Sequence, residues 1–192
     1  MSLKRILLEV NINDPFIKNI TDRLEDNFDL SILDDHPLLH ERFGVYVYSI
    51  NNTNKIIRIG KGDYSKVKNI VGINFENVSE LYYHNIVDRN YLVSVMEQCF
   101  PLDGMNKEVI ERIYTYDGLL NYFITEEDYT DDYYMAEILD NDDIDYIDDA
   151  INIVKQVHNG YNELKKYGIE HGDLHVDNIM QTRSTIKLID YF

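Results

Sequence analysis

The sequence predicts an α+β fold: a small antiparallel β lobe followed by a mainly helical lobe. Three observations carry that expectation. Val45, Val47 and Ser49 alternate with Tyr46, Tyr48 and Ile50, the period-two pattern of a half-buried strand. Ile144, Ile147, Ile151, Val154, Val157, Tyr161 and Leu164 recur at steps of three or four, the period of an amphipathic helix. A last pair of short apolar runs, Ile179-Met180 and Ile186 to Ile189, flanks a turn at Gln181 to Thr185 and reads as a hairpin.

Taken in order, Asp14-Pro15 reads as an N-cap followed by proline in the first turn. Phe16, Ile17, Ile20, Leu24 and Phe28 continue it as an apolar stripe, so a helix is expected over about 15–27, within an N-terminal extension of 1–29. Residues 30–100 hold the strands. Val45–Ile50 is followed by the turn Asn51-Asn52-Thr53-Asn54 and a strand from Lys55 to Ile59, which Gly60-Lys61-Gly62 ends. A short helix is expected between Asp63 and Glu80, and then a hairpin of Tyr82–Val87 and Tyr91–Met96 joined by Asp88-Arg89-Asn90. Residues 101–192 form the helical part. Pro101 and Gly104 mark a loop, Lys107–Tyr116 reads as helix, and the long helix runs from about Asp143 to Tyr167 with Lys165, Lys166 and Gly168 at its end. A short strand, an irregular loop and the final hairpin complete the chain.

Composition narrows the function classes. The 192 residues are 44% hydrophobic and 28% charged, enough to bury a core. The single cysteine, Cys99, excludes an intramolecular disulfide, and no Cys/His spacing suggests zinc. No apolar run reaches the roughly 18 residues a bilayer requires, and MSLKRILLEV does not read as a secretory signal, so a cytoplasmic location is expected. The net charge of −17 is local. Between Ile113 and Val154 there is no Lys or Arg, while thirteen acids fall between Asp117 and Asp149; without them 22 acids face 18 bases. Such a field repels phosphate backbones, which excludes direct nucleic-acid binding. The 117–149 window reads as a solvated face, or as a surface that captures a basic partner protein. Richness in Asn, Ile, Tyr and Asp fits an AT-biased genome, such as that of a phage or other virus.

The densest chemical signal is HGDLHVDNIM, followed by KLID. Asp173 has Asn178 at +5 and Asp190 at +17. This pattern, placed after a strand-rich part and a long helix, resembles the catalytic loop and metal-binding strand of the protein-kinase-like superfamily. The resemblance implies ATP- and Mg²⁺-dependent phosphoryl transfer to a hydroxyl, in which positioning and charge neutralisation do most of the catalysis. Asp173 would be the catalytic base, Asn178 and Asp190 the metal ligands, and His171 a structural brace for the loop. The form HGDLH is more similar to aminoglycoside, choline, atypical and viral kinases than to the HRDLK of most eukaryotic enzymes. His175 stands where the latter carry a lysine near the transferred phosphate.

Upstream the resemblance is thinner. ERFGVYVY resembles the end of a glycine-rich phosphate loop, of whose usual three glycines only Gly44 is present. Arg58 aligns with the nucleotide-binding cation of the next strand, with Lys55 and Lys61 as alternatives; each could equally be a surface cation at a strand end. Glu76 or Glu80 would be the acidic partner from a helix, both preceding HNIV, which resembles the kinase HPNIV. YLVSVMEQC is similar to a kinase hinge, so Met96 would border the adenine and the Glu97–Cys99 backbone would meet its edge. Val93, Val95 and Met96 also read as buried strand.

The chain departs from the family at its end. Asp190-Tyr191-Phe192 stands where kinases read DFG, and no activation segment follows, so a C-terminally truncated helical lobe is expected. Three readings remain: a minimal kinase acting on a protein or small-molecule alcohol, a catalytically weak pseudokinase, or an acidic decoy that binds and inhibits a host protein.

Overall fold

The computed structural model describes residues 22, 33, 35–42, 44–60, 64–87, 91–115, 132–140, 143–172, 174–183 and 185–191. The helix expected over 15–27 lies outside them except for Asp22, which is helical. The described chain mixes helices with antiparallel sheets and divides into two compact units.

The first unit holds a five-stranded antiparallel sheet in the order β1-β2-β3-β5-β4, built from Leu38–Arg42 (β1), Val45–Ser49 (β2), Lys55–Gly60 (β3), Leu81–Val87 (β4) and Tyr91–Glu97 (β5). Both expected hairpins form: Ser49 faces Ile56, and Val87 faces Tyr91. The helix expected between Asp63 and Glu80 is the single turn α1, Tyr64–Val67. Because side chains alternate across a pleated sheet, one face collects Ile57, Ile59, Tyr83, Val93 and Val95. These form a core with Leu33 and Ile50, and Tyr46, Tyr48 and Tyr82 pack against it.

The second unit is organised by α4, Ile144–Lys166, which packs against α2 (Gly104–Thr115), α3 (Asp132–Leu139) and β8 (Ile186–Leu188). Its start is set by Asp143, whose carboxylate accepts the N–H groups of Asp145 and Tyr146 at 3.0 and 3.3 Å. Its end is set by Gly168, which takes the left-handed conformation at φ 72° that a β-carbon disfavours. The predicted stripe is buried at Ile147, Ile151, Val154, Val157 and Leu164. Ile144 is not part of it: at the first helical position, it is 72% exposed.

A three-stranded sheet joins β6 (Phe100–Pro101), β7 (Ile179–Gln181) and β8 in that order. The final hairpin is therefore as expected, but its outer neighbour is not. The short strand expected after α4 is absent among the described residues before the 3₁₀ turn Val176–Asn178; the third strand is Phe100–Pro101, where Pro101 was expected to mark a loop. Proline has no N–H to give a ladder, which suits a two-residue strand at a sheet edge.

The other side of β8 is covered by residues 75–79, which belong to this second unit. Ser79 N–H donates to Leu188 O, and Leu188 N–H to Asn77 O, both at 2.9 Å. The Glu163 carboxylate accepts the N–H groups of Glu76 and Asn77 at 3.1 and 3.0 Å. The buried Lys187 ammonium donates to Phe75 O at 3.1 Å, and the Asn77 side chain donates to Ile186 O. α4 approaches so closely that a β-carbon on Gly160 would lie 2.4 Å from Asn77 O.

Candidate functional site

His171 follows α4, and it and Asn178 are each tied to Ile189 by one hydrogen bond. His171 is buried, and its Nε2–H donates to Ile189 O at 2.8 Å, which fixes the proton on Nε2. Ile189 N–H in turn donates to Asn178 O at 3.0 Å. Asp190 is the next residue, exposed, with φ 55°. A non-glycine residue in that left-handed region is uncommon, and aspartate is among the side chains that tolerate it best. Tyr191 is buried and its hydroxyl donates to Ser79 O at 2.9 Å, so the residues on both sides of Asp190 are anchored. Sequence reasoning did not single out Tyr191 or Lys187; their partners lie 112 residues away in the chain, and no local pattern marks them.

Asn178 ends the 3₁₀ turn and is buried. Its N–H donates to His175 O at 2.9 Å, and its side chain lies 3.1 Å from His175 Nε2. His175 is the N-cap of that turn, half-buried, with Nδ1 3.2 Å from the Asp177 N–H. Asp173 lies outside the described residues.

The donor set suits magnesium. A carboxamide oxygen from Asn178 and a carboxylate from Asp190 would be hard oxygen donors, and Mg²⁺ is commonly held by one or two protein groups together with phosphates and waters. Among the described residues, no three His, Cys, Asp or Glu side chains cluster as a metal site.

In the first unit, Gly44 directly precedes β2 and has φ 78°. That conformation accounts for a glycine on its own, whatever approaches it. Arg58 is buried in the middle of β3 rather than at a strand end. It faces Ser94, and Ser94 faces His84, a polar row on the face opposite the core cluster. Lys55 instead lies with its ammonium 4.5 Å from the Tyr82 ring centroid, and Lys61 is outside the described residues. Neither Glu76 nor Glu80 is helical; Glu76 lies in a bend and Glu80 directly precedes β4. Met96 is buried in β5, and Glu97 ends that strand, exchanging backbone contacts with Lys55 and donating its N–H to Glu80 O at 2.9 Å. Cys99 is half-buried in the second unit.

His84 pairs with Ser94 Oγ at 2.7 Å, and burial first, then the Arg58 charge, lowers its pKa from 6.5 to about 4. The ring is neutral in the folded chain at pH 7, and the unfolded chain takes up its proton first on acidification. The stabilisation is complete above pH 6.5 and is lost as pH falls from 6.5 towards about 4. Between pH 7 and pH 5 the expected loss is about 2 kcal/mol. Urea unfolding at the two pH values checks this against His84→Gln, which should lack that share of the pH dependence. Equal pH dependence in both proteins would contradict it.

Elsewhere, a hollow of about 590 Å³ is lined by Lys107, Glu108, Glu111 and Arg112 of α2 and by Ile138 of α3. It shares no residue with the HGD loop. Of the acidic window, residues 117–131, 141 and 142 include positions outside the described ones, while Glu137, Asp140, Asp143, Asp145, Asp148 and Asp149 are exposed. No helix among the described residues is long and apolar enough to cross a membrane.

No protein-family model matches the chain, and no curated protein matches it. Among solved structures it is similar to the Cydia pomonella granulovirus kinase PK-1, with TM-score 0.46 and 15% sequence identity. The match covers 91% of this chain and 57% of that one, so the chain spans little more than half the length of that kinase.

Proposed function

We propose that this chain is an ATP- and Mg²⁺-dependent phosphotransferase acting on a hydroxyl group of a protein or small molecule. One observation carries the reading. The hydrogen bonds from His171 to Ile189 O and from Ile189 N–H to Asn178 O tie His171 and the Asn178 main chain to the residue before Asp190, which supports a kinase-like arrangement of the loop and that carboxylate.

In this mechanism the Asp173 carboxylate orients the acceptor hydroxyl. It takes the proton as the oxygen bonds to the γ-phosphorus, and the bond from that phosphorus to the ADP oxygen breaks with its electron pair. Asn178 and Asp190 would hold the cation, each through a side-chain oxygen. Magnesium, when bound, neutralises the phosphate charge that grows on the leaving group. Arg58 would contact the phosphates, the Met96–Cys99 stretch the adenine, and His171 keeps the loop attached to the strand before Asp190.

Thermal unfolding with ATP and Mg²⁺ tests the reading first. At ligand about a hundredfold above its dissociation constant, stabilisation of about 2.7 kcal/mol is expected. It should vanish with EDTA and in Asp190→Asn. Incubation with γ-labelled ATP and candidate acceptors should then give Mg²⁺-dependent transfer. Stabilisation without transfer to any acceptor would leave a nucleotide-binding pseudokinase; no response to nucleotide at all would sink the phosphotransferase reading.

A further inference from the structure

The chain passing through Asp190 is closed on a single residue of the segment 75–79. Ser79 N–H donates to Leu188 O, two residues before Asp190, and Ser79 O accepts from the Tyr191 hydroxyl, one residue after it, both at 2.9 Å. Ser79, Leu188 and Tyr191 are all buried, while Asp190 is exposed. An exposed aspartate is thus carried on a turn whose two ends lie inside the second unit.

The two ends are held by different means. Before Asp190 the main chain is fixed: Leu188 N–H reaches Asn77 O, Ile189 N–H reaches Asn178 O, and Ile189 O accepts from His171. β8 itself stops at Leu188, so these bonds do not set the direction the chain takes after Ile189. On the far side the anchor is a side chain, the Tyr191 phenol. Between them Asp190 has φ 55°, a conformation that a non-glycine residue keeps only where its surroundings hold it. We infer that Tyr191 is a positioning residue: the bond from its hydroxyl to Ser79 O holds Asp190 in the left-handed conformation and so fixes where its carboxylate is presented to a divalent cation. This role rests on the phosphotransferase reading for the cation itself. Other contacts of either residue leave it intact, because Tyr191→Phe keeps the ring and removes the hydroxyl alone.

The test uses the full chain with Mn²⁺ and a non-hydrolysable ATP analogue, well below the melting temperature of each variant. Mn²⁺ affinity, read by electron paramagnetic resonance, should fall about tenfold in Tyr191→Phe, the range typical of groups that orient a metal ligand. Val109→Ala, at a fully buried position of α2 in the same unit, controls for general loosening and should bind Mn²⁺ as the wild type does. Wild-type affinity in Tyr191→Phe, or an equal fall in Val109→Ala, overturns the inference while the phosphotransferase reading stands. Absence of Mn²⁺–nucleotide binding by the wild-type chain overturns both. A second measurement needs no variant. With Mg²⁺ and the analogue bound, hydrogen exchange at the Ser79 N–H of the wild-type chain should slow by more than at the Val109 N–H. Equal slowing at the two, or none at Ser79, overturns the role even where Tyr191→Phe fails to fold.

Discussion

Gly160→Ala should destabilise the second unit by on the order of 2–3 kcal/mol, lowering Tm by roughly 4–12 °C. Helix propensity alone argues for the opposite sign, because alanine is favoured over glycine by about 1 kcal/mol inside a helix. The contact decides between them. The new β-carbon would lie 2.4 Å from Asn77 O, 3.1 Å from Asn77 C and 3.1 Å from Leu188 Cγ. The first two are backbone atoms, so no rotamer change relieves them. Either α4 separates from residues 75–79, or those residues lose their pairing with β8. Gly168→Ala is the comparison: nothing lies within 4 Å of its β-carbon, and only the φ of 72° opposes it, for about 1–2 kcal/mol. Calorimetry on the two variants checks the ranking. A stabilised Gly160→Ala would mean that α4 does not approach Asn77 as described.

Asp173→Asn should reduce phosphoryl transfer by about 10²–10⁴-fold, the usual contribution of a positioned general base. The exchange keeps the shape of the side chain and removes its basicity. Stabilisation by ATP and Mg²⁺ should survive, because the proposed cation ligands Asn178 and Asp190 are untouched. Asp190→Asn should lose both. This split distinguishes a base from a metal ligand in a way that activity alone does not, and initial rates with γ-labelled ATP beside thermal shifts would read it. Transfer by Asp173→Asn at the wild-type rate would remove the residue from the mechanism.

The local elements were largely legible in the residues. Ile147, Val154, Val157 and Leu164 repeat at the helical period, Asp143 can cap and Gly168 can terminate, and the helix Ile144–Lys166 follows. The alternation around Val47 and the turn at Asn51–Asn54 gave the β2–β3 pair its place, and the fold set its register, with Ser49 opposite Ile56. Where the reading slipped, the reason is positional. Ile144 fits the stripe by spacing, yet the first turn of a helix can project beyond the surface it packs on. Phe100-Pro101 carries no strand signal of its own, and becomes one only because Gln181 and Met180 lie alongside.

The candidate site divides in the same manner. Which groups could do the chemistry was determined by the sequence alone, since residue type and spacing are local properties: a histidine, a carboxylate, an amide at +5 and a second carboxylate at +17. How they are held was decided by tertiary structure. Glu163 reaches the amides of Glu76 and Asn77 across 87 and 86 residues, and Tyr191 reaches Ser79 across 112. Contacts between such distant positions leave no periodicity to read, because each partner satisfies a backbone group that every residue possesses. The glycine at 160 shows this most simply: within its helix it looks like a weak point, and only the Asn77 backbone packed against it makes it a requirement.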